Sequence, residues 1–413
     1  MSVSKPGHPS FYYGWVIVAT GALSTLACLG FGRFALGMLL PSMADTLGLT
    51  YAQMGFISTG NFIGYLVSVF FSGMIVARIG QRKFIFLSLL LVGLTMALLS
   101  RSEAFSGLLA LYVLTGIGSG GANVSMMSLA SAWFEKKSRG KAAGFMSSGS
   151  GIAIIFAGFF IPLVNRVSGA EGWRTSWLSL GAIVVLIAFL CLIFLRNKPA
   201  DLGLQRPGEN DHATTGGART TAGGKFNIYA NKAIYHLGAI YFLFGYTYVI
   251  YATFIVTTLV QERGLSEALA GNFWAVVGFL SVFSGPVFGS ISDRLGRRAG
   301  MVIVFSTQFL AYLLVASGLP GIYLYLSIFL YGMVAWSIPT IMAAAVGDYA
   351  GAENAPRALG FITLIFGLGQ ISGPAVAGVL AEYSGSFSSS FYMAAALAAA
   401  AVLLSAVLKM PRH

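Results

Sequence analysis

The sequence predicts an all-α integral membrane protein with twelve transmembrane helices in two pseudo-symmetric six-helix bundles. Three observations carry this. Of 413 residues, 57% are hydrophobic and only 9% charged, far too little polar surface for a soluble globule of that length. Apolar runs near the ~20 residues that a helix needs to cross ~30 Å of hydrocarbon recur along the whole chain. The pattern of glycines and arginines also repeats with a fixed offset of 216 residues, as Gly48/Gly264, Gly80/Gly296 and Arg82/Arg298 show. Such a period marks a duplicated unit.

The runs fall at 12–41, 51–76, 84–100, 105–134, 140–165, 174–195, 233–260, 267–291, 299–317, 320–347, 358–381 and 388–408. They are apolar on every side, whereas barrel strands alternate apolar and polar residues over about ten positions, so they read as helices. The first follows a short polar stretch, is too long for a secretory apolar core and lacks a clear A-x-A site, so it is expected to be retained. Residues 1–195 form the first expected bundle and 233–413 the second. Between them 196–232, rich in Gly, Thr and charge, reads as a linker.

The net charge of +12 invites a nucleic-acid reading, but the positions of the cations exclude it. Of 25 Lys and Arg, 20 fall on the side bearing both termini, four (Arg101, Arg166, Arg174, Arg263) on the other, and one within a helix. The positive-inside rule then places both termini in the cytoplasm and the protein in the cytoplasmic (inner) membrane. Cys28 and Cys191 lie in apolar runs and read as packing residues. The four histidines (His8, His212, His236, His413) sit at polar ends or in the linker. No metal-ligand spacing or nucleophile–base arrangement appears, so neither an enzyme nor a metal or other cofactor is expected.

The segments "GMIVARIGQRK" (73–83) and "GSISDRLGRR" (289–298) resemble the G-x3-D-R-x-G-R-R/K loop signature of the major facilitator superfamily, placed after helices 2 and 8 as in that family. The resemblance covers essentially the whole chain and implies alternating access. It also implies that these loops latch the two bundles, through Asp293, Arg294 and Arg298 in the second half and Arg78 and Arg82 in the first. Ala77 stands where the signature has its aspartate, which weights the latch toward the second half.

Within "LGFGRFALGMLLPSM" (29–43), Arg33 is the one charge at hydrocarbon depth. An arginine near a helix centre costs on the order of 2.5–3.5 kcal/mol on insertion scales. No carboxylate falls at matching depth; Asp45 and Glu382, near helix ends, come nearest. A guanidinium presents a fork of donors suited to a carboxylate or phosphate, so the missing counter-ion reads as the substrate. Snorkelling to the headgroups is the plain alternative.

The Arg33 segment also resembles the first helix of anion porters in the superfamily, including the organophosphate/phosphate antiporters, which carry a second arginine on helix 7. Here "LFGYTYVIYATF" has none, and a single site cation suits a monovalent anion. "YVLTGIGSGG" and "RNKPADLGL" resemble the monocarboxylate and oxalate/formate branches, although the charged residue those branches place on helix 8 and a lysine on helix 11 are absent. The resemblance implies a cavity lined by helices 1, 4, 7 and 10 with 2, 5, 8 and 11 beside them. The candidate substrate-binding set is therefore Arg33, Asn61, Tyr65, Asn123, Tyr248, Tyr251, Tyr331, Trp336 and Gln370. Pro286, Pro339 and Pro374 mark expected bends.

The expected function is transport of a small organic anion, a monocarboxylate, by a monomer in contact with membrane lipid, with symport, antiport or uniport and proton coupling left open. A carrier of drugs or neutral solutes and a non-transporting membrane sensor are the alternatives.

Overall fold

The computed structural model describes residues 12–204 and 231–409. The middle of the linker, both chain ends, and His8, His212 and His413 lie outside them. Among the described residues there is no strand. Eleven continuous helical stretches are long and apolar enough to cross a membrane. One of these, Ser138–Phe194, is two helices joined by a single 3-10 turn, Gly169–Glu171, and so makes two crossings.

The resulting twelve are α1 (Gly14–Leu47), α2 (Tyr51–Ile79), α3 (Gln81–Leu99), α4 (Phe105–Trp133), α5 (Lys136–Ser168) and α6 (Gly172–Phe194) in the first bundle. The second holds α7 (Lys232–Glu262), α8 (Glu267–Leu295), α9 (Arg297–Ala316), α10 (Gly321–Gly351), α11 (Glu353–Ser384) and α12 (Ser388–Ala406). Several run past the apolar segments into charged ends, because polar residues at a membrane surface still favour the helix once it is nucleated.

The 216-residue repeat extends to the backbone. Gly48 and Gly264 both end a helix at φ +62° and +64°. Gly80 and Gly296 make the sharp turns after α2 and α8 at φ +82° and +90°, where any Cβ is strained. Thr50 caps α2 by accepting from the Gln53 N–H, and its equivalent Ser266 caps α8 by accepting from the Leu269 N–H.

Among the described residues, the close backbone contacts between the two bundles gather toward one face. A Cβ added at Gly55 would lie 2.3 Å from the Pro374 carbonyl oxygen, and one at Gly158 would lie 2.4 Å from that of Gly271. Gly55 with Pro374 and Gly271 with Gly158 are the same pair under the repeat, so the α2–α11 and α5–α8 seams are related by the pseudo-two-fold. Both seams belong to the face away from the termini. On the face bearing the termini, a Cβ at Gly73, Gly140, Gly144, Gly347 or Gly360 would meet nothing within 4 Å. The bundles therefore part toward the termini and close at the opposite face. Outward-facing apolar side chains such as Phe70, Leu163, Leu186, Ile322 and Leu403 are well exposed, as lipid contact requires.

Two helices depart from regular geometry. α1 winds as a π-helix over Leu26–Phe34, the stretch that contains Arg33. α10 breaks between Val334 and Ser337, with Trp336 at φ −114°, ψ 19°. Pro339 has no N–H to give the Ala335 carbonyl, which accounts for the break. Pro286 and Pro374 lie within continuous helices.

Candidate functional site

Arg33 is 91% buried, its relative exposure being 9%, and it does not snorkel. The guanidinium sits over two rings of α2, 4.5 Å from the Phe62 centroid and 4.3 Å from that of Tyr65. These residues are three apart, so both project to one helix face. Nε donates to Asn61 Oδ1 at 3.3 Å, and Asn61 Nδ2 in turn donates to the carbonyls of Gly32 at 3.3 Å and Tyr112 at 3.4 Å. The Tyr112 hydroxyl donates to the Arg33 carbonyl at 3.0 Å, within the π-wound segment. Nη2 is buried and has no hydrogen-bond partner. The charge is held by rings and neutral dipoles, and the two N–H groups of Nη2 remain unspent.

A cavity beside it is lined by Arg33, Phe34, Asn61, Phe62, Tyr112 and Tyr248, among others, and spans both bundles. At about 10 Å³ measured to water centres, it has space for about one water. Its roof toward the closed face is tight. Ser58 and Thr253 hydroxyls meet at 3.2 Å, and the Thr59 hydroxyl donates to the Ile371 carbonyl at 2.8 Å. A Cβ at Gly37 would lie 2.7 Å from the Ala252 carbonyl oxygen. Arg33 thus stands at the blind end of the cleft between the bundles.

Most of the sequence-derived candidates gather here. Asn123 Nδ2 donates to the Tyr65 hydroxyl at 2.8 Å, leaving its own Oδ1 buried and unpartnered. Gln370 Nε2 donates to the Tyr248 hydroxyl, which faces the guanidinium. Trp336, at the break in α10, lies 5.1 Å from Phe34 and 5.5 Å, edge-on, from Tyr248, and its buried indole N–H is unpartnered. Ser284 on α8 accepts from the Trp336 backbone N–H at 3.1 Å, which pins the break.

Two candidates lie elsewhere. Tyr251 is fully buried inside the second bundle, stacked at 4.0 Å on Tyr331 and bonded to Ser327 at 2.9 Å. Tyr331 supports the site from behind, its hydroxyl donating to the Tyr248 carbonyl at 3.0 Å. Phe62, Tyr112 and Phe34 were not in the sequence-derived set; the i, i+3 spacing of Phe62 and Tyr65 was the available signal for the first.

At the face bearing the termini, Arg297 bonds Asp293, the Ser292 hydroxyl at 2.9 Å and Asp348 at 2.9 Å. This joins the α8–α9 turn to α10. Arg294, Arg298 and Arg78 are exposed, and among the described residues none of them forms an ion pair. Arg82 donates to the Leu192 carbonyl at 2.7 Å. In the first bundle the repeat equivalents of Asp293, Arg297 and Asp348 are Ala77, Gln81 and Ala132, all neutral. Gln81 bonds the Ser128 hydroxyl instead, at 2.6 Å.

Comparison with known proteins agrees with this architecture. The chain is 24% identical over 396 residues to the hexuronate transporter of Bacillus subtilis, covering 90% of this chain and 89% of that one. It is 24% identical over 395 residues to a probable sulfoacetate transporter of Cupriavidus necator, at 90% and 89% coverage. Its fold matches the crystal structure of a bacterial homologue of the human lysosomal transporter Spinster in an inward-facing, unoccupied conformation, with a TM-score of 0.78, 16% identity, and 97% and 98% of the two chains covered. The family model described as uncharacterised MFS-type transporter YbfB matches residues 25–409. The chain belongs to this family of major facilitator transporters.

Proposed function

We propose that this protein carries a small organic anion, a monocarboxylate, across the cytoplasmic membrane by alternating access, with Arg33 as its anion ligand. The observation that carries the reading is a nine-tenths-buried guanidinium that lines a cavity between the bundles, with an unpartnered Nη2 and, among the described residues, no ion-pair partner. A buried cation is costly unless paired, so the site binds best a guest that brings one negative charge. The named cargoes of the two relatives, hexuronate and sulfoacetate, are organic anions and support the same class. Asn61 and Tyr65 orient the guanidinium, Asn123, Tyr248, Trp336 and Gln370 line or brace the cleft, and Tyr251 and Tyr331 hold α7 in place.

The positive-inside rule puts the termini in the cytoplasm, so the conformation described is open inward. The Asp293–Arg297–Asp348 cluster then serves as the cytoplasmic latch of the second bundle, in a protein that acts as a monomer.

Uptake into proteoliposomes tests this. Labelled monocarboxylates are expected to exchange across the bilayer with wild-type protein and at least tenfold more slowly with Arg33→Gln of equal melting temperature. Carboxylate transport that survives this change undiminished would remove Arg33 from the site, and binding without any exchange would favour a sensor.

A further inference from the structure

We infer that the cargo is a monocarboxylate whose body is a flat, apolar ring, and that a polyhydroxy acid fits this site poorly. The inference rests on the anion reading above and concerns the remainder of the guest. The first observation is the free end of Arg33. Two rings approach its guanidinium and Nε is committed to Asn61, while Nη2, with two N–H groups, is buried and has no partner. That suits one carboxylate group taken end-on.

The second observation is what lies beyond that donor, toward the open side. Tyr241, Phe244 and Tyr248 fall at i, i+3 and i+7 on α7, one stripe about 10 Å long. With Phe366 of α11 they form a parallel array. Tyr241 stacks on Phe366 at 4.3 Å and 15°, Phe244 on Tyr248 at 4.9 Å and 13°, and Tyr248 lies 6.1 Å from Phe366 at 7°. Trp336 caps the Arg33 end of this array, edge-on to Tyr248. Phe366 and Trp336 are only partly buried, so part of each ring's surface is uncovered. Offset or edge-on contact with such surface favours another ring.

The third observation is that, besides Arg33, Asn123 Oδ1 and the Trp336 indole N–H are, among the described residues, the buried side-chain polar atoms left without partners around the site, and most hydroxyls and amides there are committed. Ser58 and Thr253 bond each other, Thr59 is spent on Ile371, and Gln370 on Tyr248. A sugar acid entering here would give up several hydrogen bonds to water and regain few, and each one lost weakens binding. An aromatic acid surrenders only those of its carboxylate, which Arg33 replaces.

The test uses full-length protein in detergent and in proteoliposomes, with benzoate, glucuronate, propionate and neutral benzamide as probes. Benzoate is expected to raise the melting temperature and to exchange in counterflow, with an affinity at least tenfold above that of glucuronate. Benzamide is expected to do neither. Phe366→Leu should lower the benzoate-to-propionate affinity ratio at least fivefold, and Arg33→Gln should abolish binding of both acids. Glucuronate binding more tightly than benzoate, in a manner that still needs Arg33, would overturn the ring and leave the anion reading standing. Benzamide binding as well as benzoate, indifferent to Arg33→Gln, would overturn the anion reading. Failure of all three acids to bind would overturn both.

Discussion

Asp45 and Gln261 are 216 residues apart, occupy equivalent places in the two halves of the repeat, and hydrogen-bond to each other at 2.7 Å. The pseudo-two-fold therefore passes between them. Gln261 also reaches the Pro41 carbonyl at 3.3 Å, and nearby Asn165 donates to Glu267 at 2.8 Å across the α5–α8 seam. The closed face is held by amide–carboxylate bonds between the bundles, on top of close backbone packing.

Asp45→Ala is accordingly expected to loosen that face. The pair is largely exposed, so its loss is worth about 0.5–1 kcal/mol, a two- to fivefold shift toward the state open at this face. Spin-label distances between cysteines placed at the exposed Glu103 and Leu319, also 216 residues apart and on the closed face, read the population directly. The native Cys28 and Cys191 are buried and give little background. An unchanged distance distribution would show that the glycine seams alone hold the face shut.

Asn61→Asp supplies Arg33 with an internal counter-ion. The Asn61 oxygen already lies 3.3 Å from Nε, where a carboxylate can pair, but the second carboxylate oxygen replaces an Nδ2 that donates to the Gly32 and Tyr112 carbonyls and cannot donate to them. Carboxylate binding should fall by at least about tenfold, while the melting temperature is expected to change little, because neutralising the buried charge within the protein is offset by the two amide bonds lost. Retained affinity would mean that the anion does not compete for the guanidinium.

Gly116→Ala tests the platform beneath the site. Its Cβ would lie 2.0 Å from the Asn61 carbonyl oxygen, forcing α4 and α2 apart at the residue that orients Arg33. A loss of about 1–3 kcal/mol is expected, together with weaker anion binding. Gly73→Ala, where a Cβ meets nothing within 4 Å, should stay within about 0.5 kcal/mol. Thermal melts of the two variants side by side give the comparison.

Arg297→Ala leaves Asp293 and Asp348 without their shared partner. Because the cluster is partly exposed, stability should change by less than about 1 kcal/mol. Turnover in proteoliposomes is expected to fall severalfold with substrate affinity preserved, since the tie joins the α8–α9 turn to α10 and touches no cleft residue. A parallel loss of affinity would place its effect on the site instead.

What was legible in the sequence followed from strong signals. Apolar runs of membrane length defined the twelve crossings, and the isolation of Arg33 marked the cleft because so few physical reasons put a cation there. Helix rotation was less legible. Tyr248 and Tyr251, three apart on α7, both belong to the substrate-binding set read from the sequence, yet Tyr248 faces Arg33 while Tyr251 turns into the second bundle, where Tyr331, Tyr312 and Ser327 receive it. The repeat pointed to Arg298 through Arg82, but the ion pairs belong to Arg297, whose first-half equivalent is the uncharged Gln81 and so left no mark in the repeat. Asp348 was missed because it is brought to the α8–α9 turn by the path of α10, which no local spacing records. Nothing in "LACLGFGRF" announces a π-helix, since its apolar and small residues suit either winding.

That winding has a mechanical consequence. A π turn stores more residues than an α turn, so each residue of slack released by rewinding would swivel the lower part of α1 by about 100° against the upper part. The arginine rides on this coil. Such a twist would turn the cation about the helix axis and change which neighbouring helix its grip faces, while leaving its depth in the bilayer nearly the same.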